Sequence, residues 1–176
     1  MIRRPGPPSP RRGPGKGEAD ETLAQPSPRP RGPSLKARAV GYLSRREYAR
    51  NELARKLQPY AGEGDDIDAV LDALEKEGWL STERFAHSLV HRRAGRQGTA
   101  RIVQELRQHG VADEQVAQLR DDLRATEYQR ALEVWRKRFA GKPADRAEYA
   151  KQARFLAGRG FAHDIIRRLL GDEHDD

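Results

Sequence analysis

Residues 101–116 read RIVQELRQHGVADEQV and residues 151–166 read KQARFLAGRGFAHDII, and laid one above the other they keep the same punctuation. Leu106 and Leu156 each close an amphipathic stretch, Gly110-Val111 and Gly160-Phe161 follow, and Val116 and Ile166 carry the next apolar stripe. A leucine ending a helical stripe, then a glycine, then a second stripe is the pattern of two helices joined at a left-handed residue. Toward the N-terminus, Leu57 stands 49 residues before Leu106, as Leu106 stands 50 before Leu156. There the joint is enlarged, with Pro59, Tyr60 and Gly64 intervening before Ile67, Val70 and Leu71 resume the stripe. The period predicts an all-α chain, an elongated and curved tandem repeat of three three-helix units, each packed mainly on its neighbour.

Helix composition and punctuation extend this reading over the 142 residues from Leu35, which hold two prolines, Pro59 and Pro143. Ala, Leu, Arg, Glu and Gln dominate and no alternating β-branched run occurs. Helices are expected at 35–44, 50–58, 66–77, 82–94, 99–109, 113–123, 126–140, 146–158 and 162–170, broken by glycines such as Gly62, Gly78, Gly95, Gly98 and Gly141. They group into units at 35–80, 81–124 and 125–171, followed by an acidic tail at 172–176. Residues 1–34 hold nine of the eleven prolines, five of the sixteen glycines and a net charge of +4. Such a segment cannot build a core and reads as a disordered Pro/Gly/Arg-rich tail.

The chain of 176 residues has no cysteine, which excludes disulfides, thiolate metal sites and cysteine nucleophiles. No apolar run approaches the roughly 20 residues that span a bilayer, and Arg and Pro stand where a signal peptide needs its apolar stretch. A soluble cytoplasmic protein without a membrane partner is expected, and a solenoid with polar ends has no need to dimerise.

Net charge is +7, and 27 of the 34 cations are arginines. Guanidinium suits phosphate and carboxylate because its planar fork donates bidentately. The sign also follows the repeat: +5 over 35–60, −7 over 61–83, +5 over 84–110, −2 over 111–124 and +6 over 125–171. Units stacked in register would align their basic helices as a stripe suited to a long polyanion or a filament. The cations singled out for such contact are Arg45, Arg46 and Arg50, then Arg84, Arg92, Arg93, Arg96 and Arg101, then Arg136, Lys137 and Arg138. Phosphate contacts from them give affinity without sequence choice and a steep salt dependence. An acidic protein surface is the other partner that they fit.

Other constellations carry less. His87 and His91 stand four apart on one helix, but no zincin glutamate lies between them and Arg84, Arg92 and Arg93 repel a divalent cation. The Gly62–Asp66 loop lacks the calcium-loop spacing; Asp65 or Asp66 is better read as a helix cap. Trp79 beside Leu80, and Trp135 in the series Leu132, Trp135, Phe139, are read as core. Tyr48 lacks the His and Lys partners of a DNA-joining nucleophile, and no Ser–His–Asp set, carboxylate pair or nucleotide loop is found, so neither a catalytic group nor a cofactor is expected.

The string Gly78-Trp79-Leu80-Ser81-Thr82-Glu83-Arg84-Phe85-Ala86, with Arg92-Arg93, Gly98 and Arg101 to Leu106 through Gly110-Val111, resembles the RecX family of recombination regulators. Tyr42 to Tyr48 with Glu52-Leu53 and Lys56-Leu57 resembles the family's first unit, and Phe155-Leu156, Arg159-Gly160-Phe161 and Ile165-Ile166 its end. The likeness spans residues 35–170 and leaves the tail aside. It departs at Ala49, where the family usually has Ser, and at Ser81-Thr82, where acidic residues often stand. Ala49 should cost the second helix about 1 kcal/mol of capping, whereas Ser81 or Thr82 caps the fourth helix as well as Asp would. The resemblance implies a non-enzymatic modulator of RecA, bound to the RecA–DNA filament and restraining strand exchange, ATP hydrolysis and coprotease action. Single- and double-stranded DNA would then be met non-specifically. The competing reading is a stand-alone helical DNA-binding protein that acts on duplex without RecA.

Overall fold

Ser34 opens the ordered architecture: its Oγ accepts from the amide of Ala37 and starts the first helix. The computed structural model describes residues 32–171. Apart from Gly32, Pro33 and Ser34, the expected tail over 1–34 lies outside the described residues, as does the acidic tail at 172–176. The described residues form nine α-helices and no strand: α1 Leu35–Leu43, α2 Arg50–Leu57, α3 Ile67–Lys76, α4 Thr82–Ala94, α5 Thr99–Gln108, α6 Asp113–Ala125, α7 Glu127–Arg136, α8 Arg146–Ala157 and α9 His163–Leu170. A 3₁₀ turn over Gln58–Tyr60 follows α2, at Pro59.

The spacing that pointed to a repeat has a direct structural cause. Leu57, Leu106 and Leu156 are all fully buried. After α5 and α8 the chain reverses at Gly110 (φ 78°) and Gly160 (φ 84°), a region closed to most side chains. The amides of Val111 and Phe161 then return to the carbonyls of Leu106 and Leu156, at 3.2 and 3.3 Å. These glycine-terminated ends swing Val111 and Phe161 into the core beside Val116 and Ile166. The architecture is the expected all-α tandem repeat of three three-helix units. Buried apolar side chains fall into three clusters, one around Leu53, Leu57, Leu71 and Leu74, one around Phe85, Ile102 and Leu106, and one around Trp135, Leu156 and Ile166.

The two joints between successive units differ. Between α5 and the α8–α9 turn the backbones touch: the amide of Gly98 donates to Arg159 O at 2.8 Å and that of Ala100 to Gly160 O at 3.2 Å. Glu127, 2% exposed, accepts from the amides of Thr99 (3.0 Å) and Ala162 (3.3 Å). One carboxylate therefore caps both α5 and α9, whose own N-caps, Gly98 and Ala162, make no side-chain cap. Arg130 fills the same joint, donating to the carbonyls of Gln97 (2.7 Å), Leu123 (2.8 Å) and Ala94 (3.3 Å) and to Thr99 Oγ1 (3.2 Å). Burial pulls its pKa below the ordinary guanidinium value, against the pull of Glu127. At the first joint Glu47 accepts from Arg84 Nε at 2.8 Å and Asn51 Nδ2 donates to Gln108 O at 3.3 Å. Ala49 packs into the second cluster.

Three expectations are corrected. The seventh helix ends at Arg136 rather than 140, because Phe139 turns back to meet Phe155 edge to face, with centroids 5.1 Å apart. Asp66 caps α3 as expected, accepting from the amide of Ala69 at 3.0 Å, so the helix opens at Ile67 rather than at 66. Trp79 is not core but 46% exposed, since positive-φ Gly78 turns the chain and leaves Leu80 as the buried residue of the pair. Trp135 is buried as expected and satisfies its ring N–H on Gln152 Oε1 at 2.7 Å. Ser81 caps α4 through the amide of Arg84.

Candidate nucleic-acid interface

The eleven cations singled out in the sequence separate into three groups. Four are taken up by carboxylates. Arg50 reaches across from α2 to Asp68 (3.2 Å), Asp72 (2.8 Å) and Glu75 (3.1 Å), a stripe along one side of α3. Burial opposes its charge, but these acids outweigh it and raise its pKa. Arg46 is held by Glu52, again with burial outweighed and the pKa raised. Arg84 pairs with Glu47 and also donates to the carbonyls of Gly78 and Trp79, each at 2.9 Å. Arg93 chelates Glu105, at 2.7 Å through Nη2, and the hydrogen bond to that carboxylate raises its pKa. These four guanidiniums fasten helices together, so a phosphate would have to compete with carboxylates already in place.

Arg101 forms the second group alone, donating to Gly158 O at 2.9 Å across the second joint. The third group is Arg45, Arg92, Arg96, Arg136, Lys137 and Arg138, all exposed and without a carboxylate partner among the described residues. Arg92 donates to Ser88 Oγ at 2.7 Å and Arg138 lies 5.9 Å from the Phe139 ring. Their positions repeat: Arg45 just beyond α1, Arg92 and Arg96 at and just beyond the end of α4, and Arg136 to Arg138 at and just beyond the end of α7. Each is thus at the C-terminus of the first helix of its unit. The helix dipole stabilises a cation there, yet leaves its outward donors free for an anion.

The sequence reading missed cations that pair with rings. Arg38 lies 4.1 Å from the Tyr60 centroid, Arg159 3.8 Å from Phe155 and Arg168 4.4 Å from Tyr128. The close spacing of Tyr42, Tyr48 and Tyr60 was the available signal for the first of these. Sequence reading also underrated amide side chains. Gln97, Gln104 and Gln108 line a groove of about 400 Å³ with Arg93, Arg101, Glu105 and His109, along the outer side of α5. Glutamine and arginine are the side chains that read adenine and guanine edges.

Comparison with known proteins agrees with this architecture. Residues 83–119 match the family model for the second three-helix domain of RecX, and residues 125–170 the model for the third. The chain is 54% identical over 144 residues to the regulatory protein RecX of Ralstonia pickettii, covering 81% of this chain and 91% of that protein. It is 58% identical over 142 residues to regulatory protein RecX of Herbaspirillum seropedicae, covering 80% and 92%. A crystal structure of RecX from Lactobacillus salivarius superposes with a TM-score of 0.60 and 22% identity, over 77% of this chain and 91% of that one, a likeness of fold.

Proposed function

This chain belongs to the RecX family of regulatory proteins, and on that premise we propose that it binds RecA and its nucleoprotein filament and modulates, mostly by inhibition, the recombinase, ATPase and coprotease activities of RecA. The observation that carries the reading is the recurrence of acid-free cations at the end of the first helix in each unit. A series of equivalent cationic sites suits a partner that is itself periodic, either phosphates along DNA or acidic faces along successive RecA protomers. Units at 35–80, 81–124 and 125–171, set along the filament, would bridge neighbouring protomers and hinder assembly or turnover. The protein acts in the cytosol as a monomer and supplies no catalytic group.

The test is the single-stranded-DNA-dependent ATPase and strand exchange of RecA with this protein titrated in. Inhibition at well below one copy per RecA is expected. Arg92→Glu with Arg96→Glu should weaken filament binding by about an order of magnitude and lower its salt dependence while leaving helical content intact. Arg93 is spared in that variant, because reversing it would break the Glu105 pair. Filament binding unchanged by the double reversal overturns the assignment.

The Gln97, Gln104 and Gln108 groove favours a second reading, in which α5 reads duplex DNA without RecA. A sequence-selective footprint on bare duplex, lost in Gln104→Ala with Gln108→Ala, would support it over the filament reading.

A further inference from the structure

We infer that the α1–α2 side of the first unit is a site for single-stranded nucleic acid, in which unpaired bases stack on Tyr60 and phosphates meet Arg38, Lys56 and Arg45. The inference rests on the DNA contacts proposed above and names the strand form and the residues that take it.

Three of the chain's five tyrosines, Tyr42, Tyr48 and Tyr60, fall in this unit. The structure interleaves them with cations. Arg38 lies 4.1 Å from the centre of Tyr60, Lys56 Nζ lies 5.3 Å from Tyr42 and 5.8 Å from Tyr48, and Arg46 lies 3.7 Å from Tyr48. Tyr42 and Tyr48 are tilted neighbours with centroids 6.0 Å apart. Arg38, one turn before Tyr42 on α1, lies over Tyr60, so the third ring joins the same group, and the neighbouring Tyr60 raises the pKa of Tyr42. Elsewhere among the described residues Arg138 and Arg159 flank the edge-to-face pair of Phe139 and Phe155, both rings half-buried, and Arg168 meets Tyr128 alone.

Two features of the cluster point outward. Tyr60 is 47% exposed although Arg38 lies over its ring, so aromatic surface remains beside a guanidinium already held in place. Arg38, Lys56 and Arg45 have no carboxylate partner among the described residues; Arg46 alone in the cluster has one, Glu52. Residues 35–60 carry a net charge of +5, while most acids of the unit lie in residues 63–77, where Arg50 takes up three of those on α3. The cation beside Trp79, the other exposed large aromatic among the described residues, is Arg84, which is already held by Glu47 and by the carbonyls of Gly78 and Trp79. Phosphate alone would need no exposed ring, and an acidic protein surface would have to offer Tyr60 an apolar pocket as well as carboxylates for the cations. A nucleic acid uses both features, and a strand whose bases are unpaired can present them to a ring, whereas duplex bases are already stacked on one another.

The experiment measures affinity of the full chain, without RecA, for a labelled oligothymidylate and for a duplex of the same length, by fluorescence anisotropy. Tyr60→Ala should weaken oligothymidylate binding at least about tenfold, the range of one base–aromatic stack, and leave duplex binding unchanged. Tyr60→Phe, which keeps the ring and removes the hydroxyl, should bind like the parent. Arg38→Ala with Lys56→Ala should flatten the salt dependence for oligothymidylate. No binding of oligothymidylate by the parent, equal loss on both strand forms, or a Tyr60→Phe loss as large as that of Tyr60→Ala overturns the inference. If Tyr60→Ala abolishes RecA inhibition with oligothymidylate affinity intact, the face belongs to a protein partner and the inference fails while the filament reading stands. Strand-selective loss together with no effect of the parent on RecA supports the single-strand site and overturns the filament reading.

Discussion

The first and second joints connect successive copies of one repeat, yet they are built from different physics. At the second, two helix N-termini and the Gly98–Gly160 contact are satisfied around one buried carboxylate, and Arg130 takes up the carbonyls of Ala94, Gln97 and Leu123 and the hydroxyls of Thr99 and Thr126. At the first, Arg84 is half exposed and its partner Glu47 about a quarter so, and Glu47 Oε2, Asn51 Oδ1 and His109 Nδ1 are buried without a hydrogen-bond partner among the described residues, against Gln97 Oε1 alone at the second. A groove of about 370 Å³, lined in part by Asn51, Ala54, Leu71, Thr82 and His109, runs between the units there. A repeat thus specifies the fold of each unit without specifying how strongly units are coupled. Coupling is set by a few side chains outside the shared pattern.

The sharpest way to break the contrast is Gly98→Ala. A Cβ at Gly98 would overlap the carbonyl carbon and oxygen of Gly160 and the amide nitrogen of Phe161, all backbone atoms that cannot rotate away. The second joint must open, and a loss of about 4 kcal/mol in chemical denaturation is expected. Ala at Gly95, which meets nothing within 4 Å, is the matched control. A loss for Gly98→Ala no greater than for Gly95→Ala would mean that the second joint is no tighter than the first.

Next in size is Glu127→Ala, which strands the buried amide of Thr99 and the part-buried amide of Ala162 at once. Each unsatisfied donor costs about 1–3 kcal/mol, so a destabilisation of about 3 kcal/mol is expected, with faster hydrogen exchange at Thr99 and Ala162. Glu127→Gln keeps an acceptor oxygen and should recover most of it. Glu47→Ala, the counterpart at the first joint, should cost about 1 kcal/mol or less, because half-exposed Arg84 keeps solvent and the carbonyls of Gly78 and Trp79, and an unpartnered buried oxygen is removed with the side chain. Equal losses at Glu127 and Glu47 would erase the distinction.

Much of the fold was legible because the repeat is written in residues whose roles are local. A glycine at positive φ after a buried leucine needs nothing beyond its own turn, so Gly110 and Gly160 could be read directly. What was not legible depends on residues far apart in the chain. Arg50, Arg84 and Arg93 read as free cations until the fold brings them Asp72, Glu47 and Glu105. Glu127 looks like any acidic residue in the first turn of a helix, and nothing nearby tells that it caps two other helices. Trp79 had an apolar neighbour in sequence, but Gly78 decided which of the pair turned inward. Arg45, Arg92, Arg96 and Arg136 to Arg138, at the ends of α1, α4 and α7, were legible as clusters, since their donors stay outside every intramolecular pairing with acids among the described residues, unlike those of their neighbours Arg46 and Arg93.

The smallest expected effect probes the first joint from within. Ala49 precedes α2 with extended backbone (φ −71°, ψ 149°) and offers no side-chain cap, while Glu52, the residue that would complete a capping box, is held by Arg46. The sequence alone suggests a full capping deficit of about 1 kcal/mol at this position. The structure reduces it, because Ala49 is 3% exposed and packs with the second cluster, so a hydroxyl placed there also loses water. Ala49→Ser should therefore stabilise by only about 0.5 kcal/mol, read as a small rise in Tm. A rise equal to the full cap would mean that the groove hydrates the hydroxyl and that the first joint is as open as its unpaired acceptors indicate. A fall in Tm would mean that apolar packing at Ala49 outweighs the cap, and that the first joint is held by its core rather than by its solvated rim.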